Sequence, residues 1–96
     1  MRTLMTIQID AEAGTQALES GTMRETLQHL ADRTRPEAAY FFSLDGMRTA
    51  LFVFDLDDPS QLPALTEPAF RELKARVSLY PVMSLDDLLT GLARLH

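Results

Sequence analysis

Arg48 is the side chain best placed for chemistry. It follows an Asp45-Gly46 pair on an aromatic-rich strand face, where a guanidinium would clamp a carboxylate ligand. The competing reading pairs it with Asp45 or with a partner subunit. Tyr40 and Tyr80 carry phenolic hydroxyls that would enter a cleft or meet a backbone acceptor. Glu67, just before Pro68, would act as a base at the mouth of such a cleft or sit on a helix surface. The catalytic candidates are Tyr40, Arg48 and Glu67, working by general acid–base chemistry. The ligand-binding candidates are Thr6, Gln8, Tyr40, Arg48 and Tyr80. No close carboxylate–histidine or carboxylate–carboxylate pair is legible.

Other reactive residues lead elsewhere. His29 stands about 200° from Leu27 on a helical wheel, a solvated position, and His96 is the final residue. Two histidines without a carboxylate or cysteine at ligand spacing make a poor metal site, so no metal is expected. Asp55, Asp57 and Asp58 lack a calcium-loop glycine and closing glutamate; with Asp86 and Asp87 they read as carboxylates at helix N-termini. Ser20, Ser43, Ser60, Ser78 and Ser84 have no nucleophile-elbow context, and the glycines are too scattered for a phosphate loop. No cofactor is expected.

The chain has 96 residues, room for one domain spanning 1–96 and one core. A net charge of -5 without a Lys/Arg cluster argues against nucleic acid and anionic membrane surfaces. The longest apolar runs hold about five residues, against roughly 20 for a bilayer span. The stretch from Met1 to Ile7 has no signal-peptide pattern, and cysteine is absent; a cytoplasmic location fits best.

The elements that must position these groups follow from periodicity. Residues 2–9 alternate, with Met5, Ile7 and Ile9 opposite Leu4, Thr6 and Gln8. Asp10 caps a helical stretch interrupted at Gly14 and Gly21. Thr22-Met23-Arg24-Glu25 predicts a capping box for a helix over 23–33, buried through Met23, Leu27, Leu30 and Ala31. Arg35-Pro36 stops it. Asp57-Asp58-Pro59-Ser60 breaks the strand and caps a helix over 61–74 with Leu62, Leu65, Phe70 and Leu73 inward, kinked or split at Pro68. A strand over 75–80 follows, ended by Pro81, and Ser84 caps a last helix bearing Leu85, Leu88, Leu89, Leu92 and Leu95.

Between the first two helical regions lies a hairpin turned at Asp45-Gly46, a pair that tolerates φ > 0 twice. Strand parity puts Tyr40, Phe42, Leu44, Met47, Thr49, Leu51 and Val53 on one face, and Phe41, Ser43, Arg48, Ala50, Phe52 and Phe54 on the other. Neither face is polar, so both need a cover. The order β-α-β-β-α-β plus a terminal helix is the ferredoxin-like α+β pattern, a four-stranded antiparallel sheet with helices on one face. On the outer strands the open face carries Thr6, Gln8, Ser78 and Tyr80, and its middle is bulky and apolar. A second copy of the chain is the expected cover, making a homodimer through the sheet face.

Pro36-Glu37-Ala38-Ala39-Tyr40-Phe41, the run from Gly46 to Asp55, and Pro81-Val82-Met83-Ser84-Leu85-Asp86-Asp87-Leu88 resemble a group of small bacterial proteins of uncharacterised function. With its element order, the chain resembles the dimeric α/β-barrel superfamily, which includes muconolactone isomerase-like and antibiotic-biosynthesis monooxygenase-like proteins. That resemblance implies a barrel-like dimer whose cleft takes a small organic molecule. No catalytic motif of the superfamily's enzymes matches a position here. The leading expectation is a ligand-binding homodimer. The alternatives are an isomerase or cofactor-independent monooxygenase, and a structural or regulatory interaction module.

Overall fold

Thr3, Met5, Ile7 and Ile9 point to one side of the first strand, β1 (Arg2–Ile9), and all four are buried in the computed structural model, which describes residues 1–95. His96 lies outside the described residues. Asp10 ends the strand and caps α1 (Ala11–Ser20), its carboxylate accepting from the Ala13 N–H at 2.8 Å. Gly21, at φ 82°, closes α1 and opens α2 (Thr22–Thr34). The capping box predicted at Thr22 and Glu25 does not form. Thr22 is already the first helical residue, Gly21 takes the cap position, and the Thr22 hydroxyl receives the Ser20 hydroxyl instead. Leu30, Thr26 and Thr34 form the deep face of α2, flanked by half-buried Met23, Leu27 and Ala31. Arg35 leaves the helix in the left-handed region, at φ 45°.

The hairpin pairs β2 (Ala38–Leu44) with β3 (Met47–Asp55), Leu44 opposite Met47, and both turn residues have positive φ. After a 3-10 turn at Pro59–Gln61, capped by Asp58, α3 (Leu62–Leu73) runs unbroken through Pro68. The expected split is absent, because Leu65, Thr66, Ala69 and Leu73 hold the helix to the core on both sides of the proline. Phe70, expected inward, is 44% exposed. At 100° per residue the buried stripe centres between Leu62 and Leu73, and Phe70 falls on its shoulder. Lys74 in the left-handed region leads into β4 (Arg76–Pro81), and a Ser84–Asp87 capping box starts α4 (Leu85–Ala93).

All strand pairs are antiparallel, in the order β2-β3-β1-β4, the ferredoxin-like arrangement. The crossovers insert β1 between β3 and β4. Thr6 and Gln8 therefore stand on a central strand rather than an outer one, and the apolar hairpin occupies one side of the sheet, with β2 as its edge. The face memberships expected from parity hold: Tyr40 pairs with Leu51, Phe42 with Thr49, Phe41 with Ala50 and Ser43 with Arg48. α1, α2 and α3 cover the face of Met5, Ile7, Phe52 and Phe54, which are buried with Leu30, Leu65 and Leu73 as one core. The helices leave the opposite face open. Among the described residues, no helix is long and apolar enough to cross a membrane.

Candidate functional site

A cleft of about 560 Å³ opens between the hairpin and the α1–α2 pair. Ile9 and Ala50 come from the sheet, Met23 and Leu27 from α2, and Phe41 and Ser43 from β2. Phe41, on the edge strand and 62% exposed, stands edge-on to the buried Phe52, ring centroids 6.0 Å apart at 88°. The phenyls do not plug the space: Phe41 and Phe42 stand in its walls, while Phe52 and Phe54 are buried in the core and do not line it. The volume falls within the range of small-molecule sites, roughly 300–1,000 Å³.

Arg48 supplies the charge at this cleft. Its Nη1 donates to the Ala11 carbonyl at 3.3 Å, which ties the guanidinium to the start of α1. Gly14 makes that path: a Cβ there would lie 2.6 Å from Nη1 and 3.3 Å from Cδ of Arg48. Among the described residues no carboxylate lies within ion-pair distance of Arg48, so the predicted pairing with Asp45 is not made. A guanidinium has five N–H donors, and on this exposed side chain one bond to a carbonyl leaves the others to water or to a ligand. An apolar chamber with one tethered cation suits an apolar molecule bearing an anionic group.

The other sequence candidates are elsewhere. Tyr40, Tyr80, Thr6 and Gln8 lie on the opposite, open face of the sheet, and Tyr40 and Tyr80 are exposed there. Glu67 is exposed on α3 and does not line the cleft. Of the five expected ligand contacts, the cleft gathers only Arg48. Ser43, Phe41, Met23 and Leu27 were missed as lining residues. Parity already places Ser43 and Phe41 beside Arg48; the two α2 residues required the docked helix.

The acidic residues are engaged locally. Asp55 accepts from the Met1 ammonium at 2.8 Å, and that bond, with one to Asp57, holds its carboxyl below the usual range; the same proximity pushes Asp57 up. Asp58 is held low by the Ser60 N–H. His29 is exposed on α2. Among the described residues no group of three His, Asp or Glu side chains is arranged to hold a metal ion.

Fold and cleft together define a ferredoxin-like α+β protein with a ligand-sized chamber under its hairpin. No family model and no curated protein matches the chain. Among solved structures, the de novo designed protein Ferredog-Diesel is similar at 14% identity and a TM-score of 0.48, over 84% of this chain and 85% of that one. A Deinococcus radiodurans protein whose crystal structure is described as that of "a putative antibiotic biosynthesis monooxygenase" is similar at 16% identity and a TM-score of 0.46, over 86% of this chain and 92% of that one. Neither likeness bears on activity.

Proposed function

We propose that this chain is a cytoplasmic, homodimeric binding protein that takes a small organic acid into the cleft under the β2–β3 hairpin. The observation that carries the reading is the juxtaposition of the apolar chamber with the tethered, unpaired Arg48. Binding is favoured over isomerase-like or monooxygenase-like turnover because Arg48 is the one ionisable side chain among the described lining residues, and general acid–base work needs a titrating partner in reach. It is favoured over a pure interaction module because the chamber is open. The homodimer has separate support in Tyr40, Phe42 and Leu44, exposed on the open face of β2 beside half-buried Leu51 and Val53 of β3.

A thermal-shift screen of aromatic acids, lactones and quinols tests the binding. Ligand at 100 times its Kd stabilises by about 2.7 kcal/mol, on the order of 10 °C for a domain of this size. Aromatic acids should raise the Tm with the logarithm of their concentration, and Arg48→Leu should abolish the preference for acids over lactones. Silence across all three classes overturns the reading.

A further inference from the structure

We infer that α4 is an exchanged arm, whose leucine stripe docks on the open sheet face of a second copy of this chain, beside the partner's hairpin. This deepens the dimer reading and rests on it; it does not depend on the cleft.

Every residue of α4 is exposed. Leu85, Leu88, Leu89, Leu92 and Leu95 follow the i, i+3, i+4, i+7 order of one apolar stripe, yet each is between 42% and 76% exposed. Helices shorter than about 12–15 residues are marginal alone in water, and α4 has nine residues. It is nevertheless built as a helix. Ser84 Oγ accepts from the Asp87 N–H and the Asp87 carboxylate accepts from the Ser84 N–H, both at 3.1 Å.

The chain's own sheet does not receive the stripe, since Tyr40, Phe42 and Tyr80 remain exposed. The connector explains why. Only residues 82–84 join β4 to α4, and the Val82 N–H is pinned to the Arg2 carbonyl at 3.1 Å. Asp87 in the first turn of α4 sits 4.0 Å from the Arg2 guanidinium. Arg2 shares the parity of Leu4, Thr6 and Gln8, so the helix starts on the open-face side of the sheet end. A short, pinned connector gives it no reach to fold back, and short hinges of this kind favour exchange between chains. The molecule accordingly extends 54 Å along its longest axis, with a radius of gyration of 15.2 Å. A compact chain of this length would have about 12.5 Å.

Area and length point to a second copy as the occupant. Tyr40, Phe42, Leu44 and Tyr80 on the sheet face and the five leucines of the arm together leave on the order of 900 Å² in water, in two separate patches. Joined across two chains, that matches the roughly 800 Å² that a stable interface takes from each partner. α4 is about 13.5 Å long, close to three strand spacings of about 4.8 Å. One chain thus carries both halves of a complementary pair and cannot join them itself. A two-fold axis joins both pairs at once.

The absence of cysteine makes the test direct. Single-cysteine chains Leu89→Cys and Leu51→Cys, refolded as a mixture and treated with a short bismaleimide, should give a dimer-mass heteroconjugate. The double variant should give the same mass rather than an intrachain product. Sedimentation of the full chain at micromolar concentration should show a dimer, weakened about 100-fold or more by Leu88→Asp/Leu92→Asp. An intrachain conjugate, no conjugate, or a double-aspartate dimer of unchanged affinity overturns the arm while a dimer of the unmodified chain keeps the sheet-face reading. A unmodified chain that sediments as a monomer overturns both.

Discussion

Gly14 decides where Arg48 can go. The guanidinium crosses α1 where a side chain is missing, and a methyl group there would press on the far end of a flexible chain rather than on backbone. Alanine in a helix interior is worth up to about 1 kcal/mol over glycine. Gly14→Ala should therefore keep or raise the urea midpoint while weakening aromatic-acid binding about tenfold, read by titration of the two proteins in parallel. Unchanged binding would show that Arg48 does not anchor the ligand. Gly46 isolates a different effect. It sits at φ 74° with open space around it, so Gly46→Ala meets no clash and should cost about 1 kcal/mol of backbone strain alone, visible in the same urea curve.

Among the elements, α4 depends most on its own ends. The Ser84 N–H, with a smaller contribution from Arg2, holds the Asp87 carboxyl below its ordinary value of 3.8. A carboxyl lowered on folding stabilises fully above the unfolded value and loses that contribution as pH falls through its lowered folded value. The helical circular dichroism of α4 should thus fade on acidification below 3.8, and Asp87→Asn should start less helical and respond less to acid. Ser84→Ala should cost the cap about 1 kcal/mol. An acid response identical in Asp87→Asn would remove the capping box as its source. The same scale explains two departures from the sequence-based expectation. Pro68 forfeits one helical N–H but lies between Leu65 and Ala69, whose burial holds α3 together. Gly21 serves as the shared cap of α1 and α2, which takes Thr22 out of the capping position.

For the whole molecule, a second copy is part of the stability balance. If two chains share the open face, dissociation precedes or accompanies unfolding, and the Tm should climb by a few degrees for each tenfold rise in protein concentration. A Tm independent of concentration would mean that the sheet stands alone. β2 sharpens this expectation, because an apolar edge strand whose Tyr40, Phe42 and Leu44 are all exposed on the open face is an aggregation hazard unless covered.

What the sequence determined by itself was parity. Alternation along 2–9, 38–44 and 47–55 settles which side chains share a face, and the Asp45-Gly46 turn fixes the register, because these depend on local geometry with a period of two. Parity had already separated Arg48 from Tyr40, although both stood together as site candidates. Tertiary structure alone decided the strand order, the docking of Met23 and Leu27 opposite Arg48, and the failure of α4 to find a place on its own sheet. Those outcomes depend on how crossovers and a three-residue connector orient whole elements in space, and residue spacing along one chain carries no record of that.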